Sequence, residues 1–314
     1  MDTTSIIERI RELLVEHYVF PEVAAQLDTF LAGRTTHYAA ATTPVELADL
    51  VTRDLQSVNG DRHLRLKHHE DEVPEGDDAA SEQQIRRELD LAMGGVPSLR
   101  RLPGGVAHLE LAPHLFPVEL CADTLAAAFT LVSRAHALIL DLRRNRGGDP
   151  HTVALVCGHL LAEPTHLNTM YHREDESYHQ FWSPPVVPGT RFAPDRPVYV
   201  LTSGTTFSAA EELAYDLQQL GRATIVGETT GGGAHPRRGF TVHPHLEATI
   251  PTARAINPVS GTNWELVGVT PDIPVPADEA LDRAHREALA ELDRRGGDAP
   301  SLAEARAALA GSAG

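Results

Sequence analysis

The chain has 314 residues, 42% hydrophobic and 23% charged, with 44 acidic against 27 basic side chains and a formal net charge of −17. That composition supplies one large or two modest cores and excludes a disordered chain. The acidic balance excludes nucleic acid or an anionic membrane as a general partner, because both demand a basic face.

The N-terminal stretch from Met1 to Glu8 reads as a capping box opening an amphipathic helix over 4–18, with Ile6, Ile10, Leu13 and Leu14 inward. It has neither the basic start nor the apolar core of a signal peptide. Further helices are predicted over 22–32 and 44–58, the latter opened by a capping box at Thr43-Pro-Val-Glu46 and stopped at Asn59-Gly60. The acidic stretch 70–78 reads as an exposed loop and domain boundary before a helix near 82–93. From Gly104 the pattern alternates: strand 105–111, helix 119–135, strand 137–142, helix 150–162, strand 198–202, helix 207–220, strand 223–227. Such alternation implies parallel βαβ units and an α/β fold. Residues 165–195, rich in aromatics and prolines, form an insertion long enough to lid a site. From Ala277 an amphipathic helix runs through Leu292, and an alanine-rich one follows. Cys121 and Cys157 both fall in apolar helical patterns, so nothing requires an oxidising compartment and a cytoplasmic location is expected.

Three strand ends carry chemistry. The run Val198-Tyr-Val-Leu-Thr passes through small residues into a helical pattern and leaves Ser208 in the first turn, where bare N–H groups and the helix dipole favour an oxyanion. A serine there also serves as an ordinary helix cap. The strand 137–142 breaks at Gly147-Gly148 before Pro150; paired glycines let N–H groups face a substrate carbonyl, and equally make a tight turn. The strand 223–227 leads into Gly231-Gly-Gly-Ala-His235. Three such ends suggest one crevice, bordered by Glu211, Gly232, Gly233 and His235 as substrate-binding positions.

With Asp141-Leu-Arg-Arg-Asn-Arg-Gly-Gly148, Thr206-Phe-Ser-Ala-Ala-Glu211, Val226-Gly-Glu-Thr-Thr-Gly-Gly-Gly233 and Gly268-Val-Thr-Pro-Asp272, the chain resembles one family of serine peptidases. That family holds the tail-specific (C-terminal processing) proteases, the tricorn core and interphotoreceptor retinoid-binding protein. The resemblance covers roughly residues 1–276. No insertion between 70 and 100 is long enough for a PDZ domain, so it is closest to the retinoid-binding-protein-like branch. It implies a crotonase/ClpP-like βαβ superhelix at 104–276, a helical N-terminal domain at 1–70, an acidic linker and helix at 71–103, and a helical tail at 277–314.

Tail-specific members activate the serine with lysine, but the matching position falls near Gly233 and Lys67 is the chain's sole lysine, so that dyad is excluded. The tricorn-like arrangement fits: Asn59-Gly-Asp-Arg-His63-Leu matches the histidine motif, and Asn263-Trp-Glu265 the glutamate ahead of the Gly-Val-Thr-Pro-Asp turn. The resemblance therefore implies a triad of Ser208, His63 and Glu265, with oxyanion donors from Ala209 and from Gly147 or Gly148. A serine hydroxyl is too weak an acid to attack unaided; an imidazole within reach, oriented by a carboxylate, supplies the base. His235 is the alternative base and Ser203 a weaker alternative nucleophile. No metal-ligand or phosphate-loop spacing appears, so no metal or other cofactor is expected. The expected activity is hydrolysis of a peptide or ester through an acyl-enzyme. The alternative is binding of an apolar, retinoid-like ligand, or a repurposed biosynthetic reaction such as cyclisation of a small metabolite. The expected partner is a peptide or small apolar substrate, and oligomeric state stays open.

Overall fold

The computed structural model describes residues 1–73, 78–296 and 300–311. Its helices are α1 (Thr3–His17), α2 (Pro21–Ala32), α3 (Thr35–Tyr38), α4 (Pro44–Asn59), α5 (Asp78–Leu91), α6 (Val118–Val132), α7 (Pro150–Leu160), α8 (Ala209–Gln219), α9 (Ala280–Arg295) and α10 (Pro300–Gly311). Its strands are β1 (Arg65–His68), β2 (Ser98–Leu102), β3 (Val106–Glu110), β4 (Ala137–Asp141), β5 (His166–His172), β6 (Tyr178–Trp182), β7 (Val198–Thr202), β8 (Thr224–Gly227), β9 (Arg237–His243), β10 (Leu246–Pro251), β11 (Ala253–Ile256) and β12 (Ile273–Pro274). Two compact units result: Met1–Ala80 with Thr169–His179 and Gly233–Ile256, and Ser81–Asn168 with Gln180–Gly232 and Asn257–Gly314.

The first unit is the helical N-terminal region plus an antiparallel sheet in the order β1-β10-β9. Asp2 caps α1 by accepting the Ser5 N–H at 3.2 Å, and Gly60, at φ 77°, ends α4 in the left-handed conformation that glycine adopts most cheaply. The helices turn Ile10, Leu14, Leu27, Leu31, Leu47 and Val51 onto Leu246, Ala248 and Ile250 of β10. Each such side chain contributes about 1.5–3 kcal/mol on leaving water. The register that seats them joins residues far apart in sequence, Arg65 opposite Thr249 and Leu66 opposite Ala248. Segments 169–179 and 233–256, assigned by the sequence to the catalytic domain, thus fold with residues 1–80.

The second unit is the α/β half. Its sheet runs β12-β8-β7-β4-β3-β2, parallel except for the β2–β3 pair. Every residue of β3, β4 and β7 is buried, as in a parallel sheet covered on both faces. Ala280, Ala284 and Ala288, spaced by four on α9, lie in one core cluster with Val106, Ile139 and Leu201. Because β4, β7 and β8 are parallel, the loops after Asp141, Thr202 and Gly227 emerge at one sheet edge.

The predicted helices and core strands match these elements within a few residues. Helix α3, strands β1, β2 and β9–β12, and the β5 and β6 strands inside the 165–195 insertion, were not anticipated. The acidic loop expected at 70–78 lies partly outside the described residues, at 74–77.

Candidate functional site

The α/β half builds its site from the three loops at that edge. The segment between β7 and α8 is tied down by its own hydroxyls. Ser203 Oγ donates to the Arg143 carbonyl at 2.6 Å, and Thr206 Oγ1 to the Leu142 carbonyl at 2.9 Å. Ser203, the alternative nucleophile, is thereby committed to the loop. Ser208 follows at φ 56° and ψ −126°, a conformation that costs a residue bearing a Cβ on the order of 1–3 kcal/mol. A strained strand-to-helix serine is the geometry of a nucleophile elbow, which lifts the hydroxyl out of the turn.

The strain is held by Glu211. Its side chain is fully buried; Oε2 accepts the Ser208 N–H at 2.8 Å, while Oε1 accepts the Thr230 hydroxyl at 2.5 Å and the Gly232 N–H at 2.7 Å. Glu211 was expected to touch substrate. Buried, with three protein donors on its oxygens, it is instead the fastening beneath the elbow. The Gly232 N–H is likewise spent on Glu211, not offered to a ligand.

The glycine pair resolves into two roles. Gly147, at φ 100°, lies so close to the elbow that a Cβ there would sit 2.7 Å from Ser208 Cβ and 3.0 Å from the Ala209 nitrogen. Its own N–H donates to Asn145 Oδ1 at 2.9 Å, so the amide expected to face an anion is occupied. Gly147 supplies close approach, and of the pair only the Gly148 N–H, like that of Ala209, has no partner among the described residues. Asn145, wholly buried, also donates from Nδ2 to the Leu111 carbonyl at 3.0 Å. The sequence reading did not single it out, although it stands two residues ahead of the glycines. Glu265 belongs to the same half. It precedes Leu266, at φ 67°, whose N–H donates to the Gly232 carbonyl at 3.1 Å, so bonded groups run from Ser208 through Glu211 and Gly232 to the Glu265 loop.

The helical unit carries the histidines. Asp61, almost wholly buried, was also missed. Its Oδ1 accepts the His63 backbone N–H at 2.9 Å in an Asx turn, and Oδ2 accepts the Tyr18 hydroxyl at 2.9 Å and lies 3.4 Å from His235 Nδ1. One acid thus gathers both candidate bases. Burial would raise the Asp61 carboxyl, but the His235 hydrogen bond and the charges of the two histidines outweigh it and hold the group below the usual range. Burial pushes the His63 imidazole down to about 4, against the opposing pull of Asp61, so the ring is neutral at physiological pH. Gly233 begins the segment that carries His235 in this unit.

Residues 118–275 match the model of peptidase family S41, and residues 1–92 match the N-terminal domain of peptidase S41 in eukaryotic IRBP. Among solved structures, a candidate peptidase from Parabacteroides merdae is 19% identical, with 94% of this chain and 99% of that one covered, at a TM-score of 0.68. The photosystem II D1 C-terminal processing protease is 15% identical over 90% and 97%, at 0.56. The tricorn protease is 12% identical over 88% of this chain and 35% of that one, at 0.57. At these identities the structures establish a shared fold.

Proposed function

Because this chain belongs to peptidase family S41 and is a serine peptidase, we propose that Ser208 is its nucleophile, His63 the general base and Glu265 the carboxylate that steadies the imidazolium. The observation that carries this reading is the Ser208 elbow, a strained backbone fastened by a buried carboxylate at a helix N-terminus. In the reading, His63 takes the Ser208 hydroxyl proton as Oγ bonds to the scissile carbonyl carbon. The oxygen of that carbonyl becomes an oxyanion facing the N–H groups of Ala209 and Gly148. The C–N bond then breaks, the proton passes from His63 to the departing amine, and an acyl-enzyme remains on Ser208. Water, deprotonated by the same imidazole, releases the acid and restores the serine. Peptides are the substrate class that the family supports. The His63 ring is unprotonated and able to accept in the first step, and a base so weakened by burial needs a carboxylate to stabilise its imidazolium, the part given to Glu265.

One observation favours a second assignment of the base: His235 Nδ1 lies 3.4 Å from Asp61 Oδ2, whereas His63 Nδ1 is 3.9 Å from Asp61 Oδ1. Fluorophosphonate labelling followed by intact mass separates them. Wild type should gain one phosphonyl group, S208A none, and H63A should label at least 100-fold more slowly. Loss of labelling in H235A with labelling kept in H63A transfers the base to His235. Undiminished labelling of S208A removes the nucleophile assignment.

A further inference from the structure

In the α/β half, an open groove of about 320 Å³ lies between the end of α5 and the loop after β3. Ala92, Pro97, Ala112 and Pro113 line it, and Leu91 stands at its mouth, 88% exposed. Met93, two residues on, is 71% exposed. Met93, Gly94 and Gly95 all take the left-handed backbone, at φ 51°, 71° and 86°, and so turn the chain sharply from α5 toward β2. Large apolar side chains left in water around a concavity mark a binding surface, whereas single ones do not. The groove is not built for an anion. Arg144, the one cation that lines it, donates to Glu110 Oε1 at 2.6 Å, and Glu88 at the rim is itself acidic.

The floor of this groove and the oxyanion loop share one segment. The Ala112 N–H donates to the Gly95 carbonyl at 3.2 Å, which ties the floor to the α5 turn. Immediately beyond, the Arg146 N–H donates to the Pro113 carbonyl at 2.9 Å, the Leu115 N–H to the Gly147 carbonyl at 2.9 Å, and the Asp149 N–H to the Leu115 carbonyl at 2.8 Å. Residues 113–115 therefore run alongside 146–148, with Leu115 bridged in parallel to Gly148. The approach is so close that a Cβ on Gly148 would sit 1.9 Å from the Leu115 carbonyl oxygen. From Pro113, at the groove, to Leu115, beside Gly148, is two residues of paired chain, roughly 7 Å. An extended peptide whose scissile carbonyl faces the Gly148 N–H covers that length in two or three residues.

We infer that the groove takes an apolar side chain of the peptide substrate two or three residues from the bond that is cut, so that an internal apolar residue selects the cleavage site. The inference rests on the reading of Ser208 as nucleophile and Gly148 as oxyanion donor. A groove of this volume holds one or two side chains, whereas a stable contact with a second copy needs on the order of 1,000 Å².

The test is digestion of a proteome-derived peptide library by the full chain, with free and with amidated C-termini, and with cleavage sites read by mass spectrometry. Wild type should show Leu, Ile, Met or Phe enriched at one position two or three residues from the cut, amidated or not. L91Q should lower that enrichment relative to other cleavages in the same digest, and L91Q/M93N should lower it roughly fivefold or more. Asparagine suits the left-handed backbone at Met93, so the double variant keeps its turn. L131Q changes a residue 65% exposed outside the groove and should leave the enrichment in place. The inference is overturned by wild type without apolar preference at those positions, by a preference that amidation removes, or by L91Q/M93N with the preference intact or with an equal decline on all peptides. Self-association that L91Q/M93N abolishes while the preference stays would give the groove to a second copy and also overturn it. Failure of wild type to label with fluorophosphonate instead removes the peptidase chemistry beneath it.

Discussion

Glu211 and Glu212 are adjacent on α8 and both buried, yet the helix treats them oppositely. Glu211, on the side of the elbow, accepts from Ser208, Thr230 and Gly232. Glu212 points into the core with Asp216 one turn on; Asn168 donates to Glu212 Oε1 at 3.0 Å, Asn257 donates to Asp216 Oδ1 at 3.0 Å, and Asp216 Oδ2 has no partner among the described residues. Burial pushes the Glu212 carboxyl up to about 7, the Asn168 bond pulling back, and drives Asp216 well above its usual range with Glu212 adding to the effect. What a buried carboxylate does is decided by how many donors meet it. Three donors make a fastening, whereas one donor each makes a pair that retains protons.

The largest expected effect is at the fastening. E211Q puts an amide NH₂ where two oxygens accept three donors, leaving at least one donor facing another donor. Unfolding free energy should drop by about 2–4 kcal/mol, and fluorophosphonate labelling of Ser208 should slow by more than tenfold because the strained elbow loses its tie. Chemical denaturation and labelling rates measured on one preparation check both. Wild-type labelling in E211Q would mean the elbow holds its shape without Glu211.

The sequence showed more of the elbow than of its support. The switch from apolar strand to helical spacing around 198–220 places Ser208 by periodicity alone, and the glycine pair stands out because little else follows a buried strand that way. The role of Glu211 was not readable, because a glutamate three residues past a serine has the same spacing whether it faces ligand or folds back onto the elbow. Asp61 was open to detection, since Asp-x-His suits an Asx turn, but its bonds to Tyr18 and His235 join residues 43 and 174 apart. Strand β9, Arg-Arg-Gly-Phe-Thr-Val-His, is mostly exposed and alternates only at Phe240 and Val242, too short a pattern to read without its pairing with β10. The covered parallel sheet was the legible part, because burial on both faces writes unbroken apolar runs.

The proton-holding pair should give a graded effect of opposite sign. Its folded-state pKa values lie above those of the unfolded chain, so between about pH 4.5 and 7 the unfolded state releases protons that the native state keeps, and stability falls as pH rises through that window. Each of the two groups that keeps its proton across the window should cost about 3 kcal/mol, at about 1.4 kcal/mol per pH unit. E212Q and D216N remove an ionisation, so each should flatten the decline and be at least as stable as wild type at pH 8. Denaturant midpoints at pH 5 and pH 8 read this directly. A wild-type slope retained in E212Q/D216N would assign the dependence elsewhere.

The smallest effect comes from removing one donor of the pair. Asn168 is fully buried and its Nδ2 is the named donor to Glu212. N168A deletes a bond that favours the ionised form and leaves a small cavity. The cavity costs the same at every pH, whereas the bond matters most once Glu212 is ionised. N168A should therefore be destabilised by about 1 kcal/mol more at pH 8 than at pH 5, and in an E212Q background that difference should vanish. A pH-independent loss would show that Asn168 only fills space, and would leave burial alone to set the Glu212 proton.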